Sequence, residues 1–179
     1  MIIETERTIL RPWNDIDAES LFEYASDPRI GPSAGWPVHE SVEYSLESIR
    51  KYLSDDYTFA ITLKGIDKAI GCVNLKFGED LKSFADENDT EIGCWIGAPF
   101  WGQGLVPEAI NALLALAFNE LKKDNVWYGY FIENDKSKRV QEKLGFKFSH
   151  IENNAYAKFL DKHIDEAFSK IRREDWLNR

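Results

Sequence analysis

The feature that most constrains the fold is a strand, a glycine-bearing turn and a long helix in succession between residues 91 and 120, where the sequence reads EIGCWIGAPFWGQGLVPEAINALLALAFNE. Glycine lets the backbone approach a ligand, and proline in the first helical turn costs little because that N–H lacks an intrahelical partner. Free N–H groups at such a turn, reinforced by the helix dipole, suit a phosphate or pyrophosphate. The pattern is equally typical of a turn whose glycines only allow the helix and the strand to pack closely. It matches neither a Walker loop nor the dinucleotide fingerprint.

Length, composition and charge describe one globular domain over residues 1–179. With 44% hydrophobic and 30% charged residues, the chain can bury a core and does not resemble a disordered one. The formal net charge of −9 disfavours nucleic-acid binding and suits a cationic amine substrate. Because no apolar run is long enough to span a membrane and no secretory signal is visible, we expect a cytoplasmic protein.

The two cysteines, Cys72 and Cys94, both fall inside predicted strands. Since no secretory signal accompanies them, we expect buried thiols rather than a disulfide or a metal pair. No metal site is predicted.

Hydrophobic periodicity and turn residues predict the order β-α-α-β-β-β-α-β-α-β-β. The predicted strands span residues 4–13, 57–63, 69–77, 92–96, 125–132, 146–160 with a kink at 153–154, and 163–172, and the predicted helices span 15–26, 41–54, 107–122 and 136–144. The last segment also has a helical composition, but the alternation of Ile164, Glu166 and Phe168 favours a strand. Residues 78–89 are acidic and aperiodic, which predicts a solvated loop.

This order predicts an α/β (α+β) fold with a mixed, mostly antiparallel sheet of six to seven strands, flanked by about four helices. The crossover through helix 107–122 makes its two neighbouring strands parallel. These central strands are expected to splay where the first of them bends at Gly97-Ala98-Pro99.

The loop at residues 31–40 carries Trp36 and His39 between two prolines and two glycines. An aromatic ring and an imidazole in a loop can line a substrate pocket, which makes both residues candidates for substrate binding. Equally, Trp36 can close the core beneath the loop, and a lone histidine is more often a bystander than a base.

Four segments, TERTILRPW, EIGCWIGAPFWGQGLVPEAI, ENDKSKRVQEKLGF and RREDW, lie in the same order as in a known family. Together they resemble the GNAT acetyltransferase superfamily, and within it the ribosomal-protein N-terminal acetyltransferase-like (RimJ/RimL) branch. The resemblance implies a GNAT-like fold, acetyl-CoA as donor and a primary amine as acceptor. That acceptor is a protein N-terminus or a small amine. A monomer and a homodimer both remain open.

The resemblance also implies which residues hold the donor. In the family's phosphate-binding turn, Arg/Gln-x-x-Gly-x-Gly/Ala, the matching positions are Trp101, Gly104 and Val106. Val106 departs from the small third residue. The pantetheine arm is expected to add to the strand edge by backbone contacts and to touch Asn134, for which helix capping is the alternative role. The full predicted donor set is Trp95, Ile96, Trp101, Gly102, Gln103, Gly104, Leu105, Val106, Asn134 and Ser137.

Acyl transfer from a thioester to an amine needs a base for the amine and benefits from an acid for the leaving thiolate. Glu91 matches the place where many relatives carry the base, and it can equally be an ordinary carboxylate at a strand end. Ser137 matches a serine proposed as the acid in some relatives. Tyr156 falls near the place where some relatives carry a second carboxylate, so this chain departs from the pattern there. Three alternatives remain: catalysis by proximity alone, transfer of an acyl group from a different acyl-CoA, and a module that binds CoA without turnover.

Overall fold

The structure, a computed structural model that describes all 179 residues, is built on one eight-stranded sheet in the spatial order β1-β2-β3-β4-β5-β6-β8-β7. Its strands are β1 (Ile3–Glu4), β2 (Thr8–Pro12), β3 (Thr58–Leu63), β4 (Ile66–Lys76), β5 (Thr90–Ile96), β6 (Asn125–Phe131), β7 (Lys147–Ala157) and β8 (Lys162–Arg172). All neighbouring strands run antiparallel except β5 and β6, which are parallel. The mixed, mostly antiparallel α/β fold predicted from the sequence is confirmed.

Six helices accompany the sheet, and several begin or end at the residues that the sequence predicts. They are α1 (Ala18–Ala25), α2 (Gly31–Ala34), α3 (Val42–Tyr52), α4 (Leu105–Ala115, continued as a π-helix over Leu116–Glu120), α5 (Asp135–Leu144) and α6 (Arg173–Leu177). Asn134 caps α5 by accepting the N–H of Ser137, and Gly145 ends it in the left-handed conformation. None of the helices is long and apolar enough to cross a membrane.

The helices cover both faces of the sheet. Successive residues of a strand point to opposite faces, and in β4 Cys72 joins the core cluster of α1 and α3 while Val73 joins the cluster of α4 and α5. Each face therefore has its own core. The α4 side is the larger of the two, with Leu113 and Phe118 fully buried.

The parallel pair is short, and this shapes the site. β5 and β6 pair only over Thr90↔Val126, Glu91↔Trp127 and Ile92↔Tyr128. Beyond that point β5 continues beside β4 to Ile96, and β6 continues beside β8 to Phe131. The space between the diverging edges, called the gap below, opens beyond Ile92 and Tyr128. The predicted splay of the central strands is present.

The structure differs from the sequence-based expectation in three places. The sheet has eight strands rather than six to seven, because the predicted first strand is divided and β1 is only two residues long. The loop at 31–40 contains the short helix α2. The segment 163–172 is the predicted strand, β8, but it lies between β6 and β7, a position that the sequence did not predict.

Residues 78–89 were expected to be a solvated loop, and this is wrong for part of them. The Phe84 ring packs edge-on against Trp127 and Phe168, with ring centroids 4.9 and 4.8 Å apart. The Lys82 ammonium lies 2.6 Å from Glu166 Oε2 on β8. Packing of the half-buried Phe84 ring helps to hold the acidic segment on the sheet, since full burial of a phenylalanine stabilises by about 1.5–3 kcal/mol.

Candidate active site

The glycine-bearing turn before α4 presents a row of unpaired backbone donors. Gly102 and Gly104 both have positive φ, of 75° and 77°, and Gly104 is the residue that precedes α4. The five N–H groups from Gly102 to Val106 have no acceptor within the chain, whereas the next N–H available, that of Glu108, bonds to Gly104 O. Such a nest of N–H groups at a helix N-terminus is the arrangement that binds phosphate.

The side chains of the turn hold its shape rather than reach outward. Trp101 Nε1 donates to Ile96 O at 3.0 Å, and Gln103 Nε2 donates to Pro99 O at 2.9 Å. Leu105 is buried in the α4-side core. The turn is thus fixed by its own residues and leaves the N–H groups as the part that can bind a ligand.

Four cationic side chains gather at this turn in a protein whose net charge is −9. Arg29 and Lys136 lie over the Trp101 ring, at 5.3 and 4.2 Å from its centroid. Arg7 and Lys143 approach Gly104 from the other side, and a Cβ built there would lie 3.5 Å from Arg7 Nη2 and 3.8 Å from Lys143 Nζ. The local charge is therefore positive and suits a polyanion.

Arg7 also ties the N-terminal segment to the turn and to α4. Its Nη1 donates to Gln103 O at 2.9 Å and its Nε to Glu108 Oε2 at 2.8 Å, while Glu108 Oε1 accepts from Thr5 Oγ1 and from the Arg7 backbone. Desolvation opposes the charged carboxylate, but these hydrogen bonds prevail and lower the pKa of Glu108. The TER sequence at the start of the chain thus stabilises a turn about a hundred residues away.

Backbone groups of β5 line the gap. Gly97 N–H donates to Ile70 O at 2.8 Å, which fixes the alternation of hydrogen bonds between β4 and β5. The backbone N–H and C=O of Trp95 therefore point to β4, and those of Cys94 and Ile96 point into the gap. Trp95 lies opposite Cys72, so its backbone groups face β4 and not the gap as predicted, and those of Cys94 face the gap instead. The Ile96 carbonyl already accepts the Trp101 indole N–H, so only the backbone N–H of Ile96 is free.

At the closed end of the gap a chain of hydroxyl and thiol groups connects α5, β6 and β5. Ser137 Oγ donates to Tyr128 Oη at 3.0 Å, and Tyr128 Oη lies 2.8 Å from Cys94 Sγ. Burial raises the pKa of Tyr128 well above its ordinary value and that of Cys94 to about 11, so both groups stay protonated. Asn134 caps α5 and donates through Nδ2 to Ser33 O at 3.1 Å, which attaches α2 beside the gap.

Glu91 lies on the opposite face of the sheet, the one covered by α1 and α3. Its side chain is 4% exposed, and Oε1 accepts from Lys76 Nζ at 2.6 Å. Oε2 accepts no hydrogen bond from the chain. A buried carboxylate needs a partner, and Lys76 supplies it. Glu91 is thus not the exposed strand-end carboxylate that the sequence also allowed.

Two glycines lie beside Glu91, at the point where the strands part. Gly93 and Gly129 follow the last paired residues of β5 and β6. A Cβ at Gly129 would lie 2.6 Å from Phe168 Cε1 and 2.8 Å from Glu166 Oε1, and one at Gly93 would meet Asn74 Oδ1. Neighbouring side chains therefore already fill the space above both glycines, and no side chain larger than that of glycine fits at either position.

Trp36 and His39 are brought to this face, but at different depths. Trp36 is half-buried and meets Trp95 edge-on, with ring centroids 5.7 Å apart. His39 is 7% exposed and its Nδ1 lies 2.8 Å from Ser45 Oγ. Burial lowers the pKa of His39 to about 4, so the ring is neutral at pH 7. The structure places His39 in the interior, which argues against its predicted contact with substrate.

Sequence reasoning missed several of these residues. Arg7, Lys76 and Lys143 are basic residues within strongly charged segments, and no spacing marks them out. Tyr128 stands in an aromatic strand where any ring could serve the core. The pairing of Arg7 with Glu108 could have been suspected, because TER and PEA lie in two of the segments that carried the family resemblance. No three His, Cys, Asp or Glu side chains are grouped as metal ligands would be.

Comparisons with known proteins give a consistent result. The family model described as an acetyltransferase (GNAT) domain matches residues 7–147. The chain is 26% identical over 178 residues to the uncharacterized N-acetyltransferase p20 of Bacillus licheniformis, covering 95% of this chain and 96% of that protein. It is 26% identical over 152 residues to the uncharacterized N-acetyltransferase YoaA of Bacillus subtilis, covering 82% of each.

Solved structures share the fold over nearly the whole chain. A GNAT-family acetyltransferase from Bacillus anthracis superposes with a TM-score of 0.82 at 24% identity, covering 97% of this chain and 99% of that one. A protein described as the ribosomal-protein-S5-alanine acetyltransferase from Vibrio fischeri superposes with a TM-score of 0.74 at 19% identity, covering 98% of each chain.

Proposed function

Since the chain belongs to the GNAT acetyltransferase family and is an acyltransferase, we propose that it transfers the acetyl group of acetyl-CoA to the nitrogen of a primary amine. The observation that carries this proposal is the row of five unpaired N–H groups from Gly102 to Val106, surrounded by cations. These groups fit the pyrophosphate of the donor, because the contact needs backbone donors and positive charge and no particular side chain.

The gap supports the placement of the remaining part of the donor. Cys94 and the N–H of Ile96 offer free backbone groups along the β5 edge, to which the amides of a pantetheine arm can add as an extra strand does. Asn134 and α2 stand at the side of the gap and are proposed to border the arm. Trp101 and Gln103 support the turn from behind. When bound, acetyl-CoA supplies the activated acetyl group as a thioester.

Glu91 is proposed as the base. An amine with a pKa of about 8–10 is mostly protonated at neutral pH and must lose a proton before or during attack. Oε2 of Glu91 is free of hydrogen bonds from the chain, while Lys76 holds Oε1. The carboxylate can take the proton directly or through a water. Ser137 and Tyr128 provide hydroxyl groups at the same end of the gap, on the leaving-group side.

The acceptor is proposed to be a protein N-terminus or a small amine, handled by a monomer or a homodimer. The similarity to a structure described as acting on ribosomal protein S5 alanine favours the ribosomal-protein (RimJ/RimL-like) branch, and the acidic net charge favours a cationic small amine. Trp36, which packs against Trp95 on the face of the sheet that carries Glu91, is proposed to border the path by which either would approach.

Two measurements test the proposal. Calorimetric titration with acetyl-CoA is expected to show saturable binding, and no heat or thermal shift at millimolar ligand would remove every CoA-dependent function. An acceptor screen that detects thiol release should cover ribosomal-protein N-terminal peptides, polyamines and aminoglycosides. Binding of acetyl-CoA without thiol release from the whole panel would favour the alternative of a CoA-binding module. Release only from other acyl-CoA donors would favour a different acyl group.

A further inference from the structure

The segment 78–89 places a primary amine of the chain itself over the closed end of the gap. Lys82 Nζ lies 2.6 Å from Glu166 Oε2 on β8 and 3.7 Å from Glu152 Oε2 on β7. Glu166 Oε1 in turn would lie 2.8 Å from a Cβ at Gly129, the residue that follows the last paired residue of β6. A single carboxylate therefore connects this amine to the point where the two central strands part.

The amine lies on the face of the sheet that carries Glu91. Glu91 is paired with Trp127 in the parallel ladder, and directly paired residues of neighbouring strands point to the same face. The Phe84 ring packs on Trp127 and Phe168, and the Lys82 ammonium lies 5.1 Å from the centroid of the Phe168 ring. Lys82 is thus on the side from which, in the proposed function, an acceptor amine approaches.

The surrounding carboxylates keep this amine charged. Desolvation of the half-buried amine opposes its charged form, but neighbouring carboxylates, first that of Glu166 and then those of Glu91 and Glu152, prevail and raise the pKa of Lys82. The amine is therefore an ammonium ion at neutral pH. Glu166, whose oxygen accepts its hydrogen bond, is the nearest group to which it can pass a proton.

The segment does not depend on the Lys82 ion pair for its position. Phe84 packs edge-on against three rings of the sheet, those of Trp127, His150 and Phe168. A partly exposed ion pair adds little to stability, and the Lys82 side chain is 31% exposed on a flexible four-carbon stem. The amine can therefore turn from Glu166 toward the gap while Phe84 keeps the segment in place.

The reactive end of the donor would lie close to this amine. This step rests on the proposed function, in which the N–H groups of Gly102 to Val106 hold the pyrophosphate. An arm that follows the free edge of β5 from the turn past Ile96 and Cys94 ends where β5 and β6 part, beside Gly129. The thioester and the Lys82 amine then meet at the closed end of the gap.

We propose that Lys82 is a self-acetylation site, to which the protein transfers the acetyl group of its own bound acetyl-CoA. The ammonium passes one proton to the Glu166 carboxylate and from there to solvent, and the nitrogen lone pair forms a bond to the acetyl carbon. The C–S bond breaks, the sulfur leaves with the electron pair, and a second proton from the nitrogen ends on the sulfur. The products are N-acetyllysine and CoA. Because N-acetyllysine is neutral, Glu166 and Glu152 lose their cationic partner and this face gains negative charge.

The chain offers a matched control in Lys68, which is paired in the same way but far from the gap. Lys68 Nζ lies 2.6 Å from Glu23 Oε2, and this hydrogen bond raises the pKa of Lys68. Its side chain is 42% exposed, more than that of Lys82. Lys68 stands near the start of β4, whereas Lys76, which bonds to Glu91, is the last residue of that strand. Lys68 therefore reports the purely chemical acetylation of a paired lysine.

The first test follows both lysines by peptide mass spectrometry after the wild-type protein is mixed with acetyl-CoA and no other acceptor. Lys82 is expected to be acetylated at least about a hundredfold faster than Lys68, because the bound donor makes the reaction intramolecular. Excess desulfo-CoA, which carries no thioester, should stop the modification of Lys82 and leave that of Lys68 unchanged. Equal rates at the two lysines, or a Lys82 rate that desulfo-CoA does not affect, would overturn the proposal.

Dilution distinguishes transfer within one molecule from transfer between molecules. When the protein is diluted about tenfold at saturating acetyl-CoA, the rate constant for acetylation of Lys82 should not change, because donor and acceptor belong to the same complex. A rate constant that falls in proportion to the protein concentration would show that one molecule acetylates another, which contradicts self-acetylation.

Variants supply an independent readout in the thiol released without an added acceptor. The wild type and Lys68→Arg should each release about one thiol per protein molecule in a fast phase, because a single lysine accepts the acetyl group. Lys82→Arg keeps the positive charge but cannot be acetylated at this position, so it should lose the fast phase while calorimetry shows unchanged affinity for acetyl-CoA. A wild-type fast phase in Lys82→Arg would refute the assignment.

The failure of the proposed function is distinguishable from the failure of this inference. Absent binding of acetyl-CoA to the wild type would overturn both. Binding of acetyl-CoA and transfer to an added amine, with Lys82 acetylated no faster than Lys68, would overturn the self-acetylation alone.

Discussion

Replacing Gly104 by alanine separates the strain of the turn from its capacity to bind the donor. Gly104 has a φ of +77°, and the added methyl group would meet only the ends of Arg7 and Lys143, at 3.5 and 3.8 Å. It would nevertheless stand among the five N–H groups that are proposed to hold the pyrophosphate. We therefore expect Gly104→Ala to fold and to lose most of its affinity for acetyl-CoA.

The magnitudes follow from the conformation and from the hydrogen bonds at risk. A non-glycine residue in the left-handed region costs about 1–2 kcal/mol, which lowers the melting temperature by about 2–8 °C for a chain of this length. Each N–H bond to a phosphate oxygen contributes about 1.5–3 kcal/mol. Losing two of them costs about 3–6 kcal/mol, which is a hundredfold or more in the dissociation constant.

The chain offers a matched control in Gly65, at the turn between β3 and β4. Gly65 has a φ of +81°, and a Cβ there meets nothing within 4 Å. Gly65→Ala carries the same backbone strain outside the turn that precedes α4, so it should lose similar stability and keep wild-type affinity. Differential scanning calorimetry measures the first quantity, and isothermal titration with acetyl-CoA measures the second.

The reasoning would be refuted by an affinity of Gly104→Ala within about threefold of that of Gly65→Ala. Such a result would mean that the N–H groups at this turn do not contact the donor, whatever the family resemblance implies. An equal loss of affinity in both variants would show that reduced stability alone weakens the binding of acetyl-CoA.

Three further predictions concern the surroundings of the site. Arg7→Met removes the tie to Glu108 and the Gln103 carbonyl and should weaken acetyl-CoA binding about tenfold in calorimetry; wild-type affinity would show that the turn holds its shape unaided. Glu91→Gln should lower kcat by about 10²–10⁴ with unchanged donor affinity, measured by thiol release over a range of pH, and a wild-type pH profile would exclude Glu91 as the base. For His39, burial depresses the pKa from 6.5 to about 4, so its contribution to stability is present above pH 6.5 and is lost as pH falls toward 4. Urea unfolding of His39→Gln should lack this dependence, which amounts to at most about 3 kcal/mol, and an unchanged slope would place the acid sensitivity in another group.

Local patterns were sufficient to predict most of the framework. Pro107 and the glycines before it mark the start of α4, and Asn134 and Gly145 mark the two ends of α5. The alternation of Ile164, Glu166 and Phe168 correctly predicted β8 although the composition also suited a helix. The parallel direction of β5 and β6 was predicted from the single helix between them, which carries the chain back to the end of the sheet where β5 began.

The rest depends on contacts between distant residues, which no local pattern encodes. Phe84 brings an acidic segment onto the sheet because three aromatic partners from other strands meet it there. Trp95 seemed to face the donor because it is next to the bend, but the register with Cys72 turns its backbone to β4. Lys76 is opposite Glu91 only because β4 and β5 pair in one particular register.

The position of β8 between β6 and β7 has a consequence for how the protein is made. As the chain emerges in order, β6 has no antiparallel neighbour until residues 162–172 exist, and β7 pairs with β8 alone. Until then β6 offers an open edge, and β7 is synthesised without its only partner. Because unpaired edges invite wrong pairing, the nascent chain is expected to be most prone to aggregation just before β8 is complete. The last strand to be synthesised is thus the one that closes the sheet.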